Sequence, residues 1–166
     1  MALSTTIKLA VAATLTGTAD LVTPTAAMDY SKRIDLATGT GTSQADKIFS
    51  DQRTLSASAN EDLDLAGVLT DPLGATATFV KLKGLFVYAA SGNTNNVRLI
   101  RPASNGAPLF LAASDGLDIL PGGLFAWVAP GAGVTVTAGT GDLLNVANSS
   151  SGTSVTYDVV IIGTSA

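Results

Sequence analysis

Neither cysteine nor histidine occurs anywhere in the 166 residues. Without cysteine there is no disulfide framework, no thiolate zinc site and no thiol nucleophile. Without histidine there is no Ser-His-Asp or Cys-His pair, and no metal site built on neutral imidazole nitrogens. Chemistry is left to carboxylates, lysine, tyrosine and hydroxyls. Charge is scarce as well: charged residues make up 13% of the chain, against about 25% in a typical soluble domain. Nine Lys and Arg face 13 acids, of which Glu61 is the single glutamate, for a net charge of −4. Lys32-Arg33 and Lys81/Lys83 are the densest basic points, so no nucleic-acid partner is expected. No run of about 18 apolar residues exists to cross a membrane as a helix, so no membrane partner is expected either. The apolar stretch after Lys8 is broken by threonine and preceded by Thr5-Thr6, a poor fit to a cleaved secretion signal.

What is present is short, β-branched and alternating. Residues 6–11 place Ile7, Leu9 and Val11 on one face, and residues 78–88 form the longest strand candidate, with Lys81 and Lys83 on one side and Val80 and Leu82 on the other. Further strands are expected at 32–36, 53–55, 61–65, 96–101, 109–111, 117–120, 124–128, 134–137, 143–146 and 155–162. Gly, Pro, Asn and Ser punctuate the gaps, notably Ser91-Gly-Asn-Thr-Asn95, Pro121-Gly-Gly123 and Pro130-Gly-Ala-Gly133. Residues 43–49 are the one candidate for a helical turn, and read equally well as a loop. The nearly charge-free run at the C-terminal end, with Asp158 its one charge, suits a strand covered on both faces.

Closely spaced short strands with turn chemistry between them point to an all-β sandwich or barrel. The helices that parallel crossovers require are missing. The expected fold is therefore a jelly-roll-like antiparallel β-sandwich over residues 28–166, with residues 1–27 as an extended N-terminal arm or added edge strand. Thr16-Gly-Thr-Ala19 and Thr23-Pro-Thr-Ala-Ala27 would be its hinges.

Each motif that resembles a site has a plainer reading. In Glu61-Asp-Leu-Asp64, the two aspartates share a strand face and could suit a hard cation or a glycosidase pair. The same alternation is what a half-buried strand shows, with Leu63 and Leu65 inward. Gly39-Thr-Gly-Thr-Ser-Gln-Ala-Asp-Lys47 imitates a phosphate loop but lacks the Gly-Lys-Ser/Thr ending. Asn148-Ser-Ser150 matches a glycosylation pattern that has meaning only in a secretory setting. Tyr30, Trp127 and Tyr157 are amphipathic aromatics able to anchor an interface. Trp127 and Tyr157 lie in apolar runs and are assigned to packing. No catalytic residue, cofactor or metal ligand is expected.

Asp29-Tyr-Ser-Lys32, Gln44-Ala-Asp-Lys-Ile-Phe-Ser-Asp51, Gly92-Asn-Thr-Asn-Asn-Val97, Gly141-Asp-Leu-Leu-Asn-Val-Ala-Asn148 and Val155-Thr-Tyr-Asp-Val-Val-Ile-Ile-Gly163 resemble phrases in small proteins of phage and prophage structural modules. Over residues 28–166 the Thr/Ala/Gly-rich texture is similar to jelly-roll head decoration (cement) proteins of tailed phages. That resemblance implies a mechanical role on the outer surface of the phage head, after synthesis in the host bacterial cytoplasm. It implies two partners, the major capsid protein and further copies of the chain in a homotrimer. It also implies an N-terminal arm reaching the shell or an adjoining subunit, here with Ile7, Lys8, Leu9, Val11 and Leu15 as contacts. A neck, tail, baseplate or head-fibre component is the alternative within that class. A carbohydrate-binding sandwich would instead require an exposed aromatic platform, and an enzyme using Asp62 and Asp64 would require a cleft around them.

Overall fold

The computed structural model describes residues 2–166, and among them every regular element is a strand. A long hairpin comes first, β1 (Thr5–Thr16) with β2 (Thr25–Thr38), followed by the two-residue β3 (Gln44–Ala45). The body is built from β4 (Lys47–Leu55), β5 (Asn60–Asp64), β6 (Lys81–Ala89), β7 (Val97–Ile100), β8 (Gly116–Ile119), β9 (Leu124–Val128), the short β10 (Val134–Thr135), β11 (Leu143–Asn148) and β12 (Val155–Thr164).

Two sheets face each other. One runs β4-β12-β6, with β9 and β10 sharing the free edge of β6; the other runs β5-β11-β7-β8. The antiparallel pairs nest as β7·β8, β6·β9, β5·β11 and β4·β12, and β12·β6 and β11·β7 close the roll. That is the eight-stranded jelly roll, a ribbon wound into two Greek keys. The all-β antiparallel sandwich expected from the strand pattern is what forms.

Alternation decides which residues enter the core. Val155, Tyr157, Val159 and Ile161 of β12 point inward, beside Phe49 and Leu55 of β4 and Leu85, Val87 and Ala89 of β6. The facing sheet supplies Leu63, Leu144, Val146, Val97, Leu99 and Ile119. At roughly 1.5–3 kcal/mol for each fully buried aliphatic side chain, this row outweighs any surface interaction in the molecule. The C-terminal strand is central, as its continuous apolar run suggests.

Three local expectations fail, the first at residues 109–111, which form turn and bend rather than a strand. Residues 43–49 form no helical turn: they become β3 and the start of β4, because the parallel pairing of Ala37 with Gln44 and the burial of Ala45 and Phe49 outweigh weak local helical signals. Simple alternation also breaks in β6. Ile162 pairs with Gly84 but Gly163 pairs with Leu82, so Lys83 is bulged out and Leu82 and Leu85 both face the core. The Lys83 ammonium donates to the carbonyls of Pro130 and Gly131. Burial and the neighbouring Lys81 hold its pKa below the ordinary lysine value.

The bulge also explains a glycine. A Cβ on Gly163 would lie 2.2 Å from the Lys81 carbonyl oxygen and 2.7 Å from the Phe79 ring. Gly163→Ala is expected to destabilise the chain by about 1–3 kcal/mol, read from the urea midpoint. Gly92→Ala, where a Cβ meets nothing within 4 Å, is the matched control and should leave the midpoint nearly unchanged.

Candidate interaction surface

The N-terminal hairpin is the part of the molecule that its own fold leaves uncovered. Its pairing runs without a bulge from Thr5↔Leu36 to Thr16↔Thr25. Directly opposed residues share a face, so the register sorts the two strands into two chemically distinct faces. One carries Ile7 and Ile34, Leu9 and Lys32, Val11 and Tyr30, Ala13 and Met28, and Leu15 and Ala26. The other carries Thr6 and Asp35, Lys8 and Arg33, Ala10 and Ser31, Ala12 and Asp29, and Thr14 and Ala27.

Only the root of the apolar face is buried. Leu3, Ile7, Ile34 and Leu36 pack with Ile48, Phe86, Val160 and Ile162 on the outer surface of the β4-β12-β6 sheet. Beyond the root the same face continues into solvent, with Leu9 55% and Leu15 76% exposed and Val11, Met28 and Tyr30 also open. The loop at the tip holds Leu21, fully exposed, and Val22. Of the residues expected to contact a partner, Ile7, Leu9, Val11 and Leu15 stand on the apolar face, Ile7 spent on the root and the others free. Lys8 alternates to the polar face opposite Arg33. The sequence division between residues 27 and 28 falls inside β2, where Ala27 pairs with Thr14 and Met28 with Ala13; the arm is a two-stranded hairpin reaching Thr38, because the second strand is needed to satisfy the backbone of the first.

The polar face holds itself together. Thr6 Oγ1 donates to Asp35 Oδ1 at 2.7 Å, and Arg33 Nε bonds both Asp35 oxygens at 2.9 Å. The Thr6 hydrogen bond first, and Arg33 second, hold the Asp35 carboxyl below its ordinary pKa. The outer edge of β1 pairs with nothing among the described residues.

Where the arm leaves the body, a wedge of about 400 Å³ opens between them. Its walls are Leu9 and Ile34 from the arm and Phe86, Leu124, Ala126 and Val128 from the sheet, with Lys8 and Lys32 at the rim and no acid among the lining residues.

Elsewhere, the sequence motifs resolve into local structure. A cleft of about 370 Å³ gathers Asp51, Asp62, Asp64 and Asp71 near Arg53, but each carboxylate has a local task. Asp62 accepts from Asn145 at 2.7 Å, Asp64 from the Ala66 amide, and Asp71 from the amides of Leu73 and Ala75. Asp51 lies 3.0 Å from Arg53 Nε. Among the described residues no group of acids is arranged to hold a metal ion. In the glycine-rich loop, the Gln44 carboxamide folds over Gly41 and accepts its amide at 2.8 Å, filling the space a phosphate would need. Asn148 is buried and its side-chain amide donates to Ser56 and Thr153 carbonyls, so the glycosylation pattern is closed. Trp127 is half-buried against the core rather than displayed as a platform.

One cluster was not legible from the sequence. Glu61, turned inward with Leu63, accepts from the buried Tyr157 hydroxyl at 2.7 Å and pairs with Arg53. Arg53 lies eight residues from Glu61, but Tyr157 lies 96 residues away, and only strand pairing brings it to them. Comparison with family models, with curated proteins and with solved structures finds no match.

Burial and the Glu61 charge push the Tyr157 phenol above its ordinary pKa of 10.0. Above pH 10 the unfolded chain therefore releases this proton while the folded chain keeps it, and stability falls as pH rises. Tyr157→Phe is expected to cost about 1–3 kcal/mol at pH 7, since it removes a hydrogen bond to a charged group. It should also flatten the loss of stability between pH 9 and 11, as read from urea midpoints across that range.

Proposed function

We propose that this chain is a structural virion protein, a decoration (cement) protein that stabilises the head of a tailed phage from outside. The observation that carries the reading is the hairpin arm: a long, paired ribbon whose apolar face is anchored at its root and uncovered along the rest. A ribbon of two strands is marginal in water on its own. An amphipathic one that projects beyond its fold is suited to burial against another protein.

Other features agree. The jelly roll is a scaffold of viral capsid proteins as well as of lectins and cupins, so it is compatible with the role without establishing it. A surface poor in charge loses little on desolvation. Trimeric presentation of several modest contacts would let avidity supply what each lacks. On this reading the partners are the major capsid protein and further copies of the chain, with the apolar arm buried against the coat or an adjoining subunit. The protein holds surfaces together, and catalysis has no part in its role.

The reading is tested with purified phage heads that lack the protein. The chain should sediment with them at hundreds of copies per particle, and electron microscopy should place it on the outer shell. A chain in which residues 10–31 are replaced by a two-residue Asn-Gly turn should keep its thermal midpoint within a few degrees and lose at least tenfold in head binding. A full-length chain that stays in the supernatant, or that sits at about ten copies at the portal vertex, would overturn the decoration role.

A further inference from the structure

The arm and the wedge have complementary surfaces. From Leu9 to Ser31 the hairpin carries only two charged residues, Asp20 and Asp29, both acidic. The inner face of the wedge carries one charged residue, the cation Lys32, above an apolar floor of Phe86, Leu124 and Ala126, and Lys8 turns to the outer face at its rim. Shape agrees with charge. The distal arm presents Val11, Met28, Tyr30 and Leu15 on one face, and small residues such as Ala10, Ala12, Ala27 and Ser31 on the other. It can therefore enter a two-walled opening, with its apolar face against the sheet and its small face against the neighbouring arm.

The occupant cannot be the same chain's arm. Its pairing is continuous from Thr5↔Leu36 to Thr16↔Thr25, with no bulge at which it could double back. The root of that arm already forms one wall of the wedge.

We infer that the wedge receives the distal arm of a second copy, so that the chains associate head to tail. The inference rests on the oligomeric decoration reading and deepens it by naming the subunit–subunit contact. Each copy contributes one arm and one wedge, in equal number. Such a heterologous contact closes into a ring when its rotation divides the circle. The acidic arm arrives beside Lys32, which fixes the direction of insertion more than it adds affinity. Insertion also covers the apolar face that an isolated hairpin leaves wet.

The test uses light scattering on the full chain and two double variants at exposed sites. Leu15→Lys with Met28→Lys brings like charge to the wedge from the arm side; Leu124→Asp with Ala126→Asp repels the acidic arm from the wedge side. The unaltered chain should run at an integral multiple, two or more, of its 16.6 kDa mass. Each variant alone should fall to a single chain with an unchanged circular dichroism spectrum. Mixed, they should associate again, because the native arm of one meets the native wedge of the other. As a second readout, Met28→Cys and Leu124→Cys single variants in this cysteine-free chain should give a two-chain band with a short bis-maleimide when mixed, and none when separate. A monomeric unaltered chain, variants that stay associated, a mixture that stays monomeric, or no cross-link would each overturn the inference. A monomer that still binds heads would refute the arm exchange while leaving the decoration role standing. An oligomer that exchanges arms yet ignores heads would do the reverse.

Discussion

The pairing of β12 on both of its edges is the constraint on which the rest of the structure depends. Its inward row of Val155, Tyr157, Val159 and Ile161 fills the centre of the sandwich, while β4 and β6 hydrogen-bond to its two sides. Its outward Val160 and Ile162 form part of the surface on which the arm root rests. One strand thus supports the core, closes the roll and anchors the arm. The bulge at Lys83 belongs to the same arrangement. It shifts the register at the end of the strand, where Gly163 allows the backbones of β6 and β12 to approach closely.

Electrostatics plays a local part in this molecule. The aspartates cap turns or bind neighbouring amides, and the arginines beside them complete the pairs, as Arg98 does with Asp118 at 2.7 Å and Arg33 does with Asp35. Lys83 and Asp142 are buried beside backbone groups that they bond, and the partly buried Glu61 is met by both Arg53 and Tyr157. A buried carboxylate without such partners would be costly. With them it specifies how β5 sits over β4 and β12, because one glutamate gathers a residue from each of the other two strands.

Strands were legible in the sequence because period-two alternation is a local signal, and so the class of fold, the centrality of the last strand and the inward Leu63 and Leu65 could be read directly. Strand order could not. Nothing local in residues 47–55 announces that they lie beside residues 155–163, yet that adjacency defines the jelly roll. The arm was half legible. Ile7, Leu9, Val11 and Leu15 show their alternation, but the complementary strand is written in weaker letters: Ala26, Met28 and Tyr30 supply the opposing apolar row among Asp29, Ser31 and Lys32. Residues 43–49 stay ambiguous between helical turn and loop in the sequence and become strand, because a short apolar pair with flanking polar residues fits several local structures and only the neighbours in space choose between them.

The unpaired outer edge of β1 has a consequence for how the protein must be produced. Across a strand of 12 residues, Lys8 is the only charged side chain guarding a row of free amides and carbonyls. Natural sheets usually shield such margins with more charge, with proline or by keeping the strand short. Two molecules that meet can extend each other's ribbon across this margin, so ribbon-to-ribbon stacking grows with concentration. The concentration at which the chain is made thus becomes part of the folding problem.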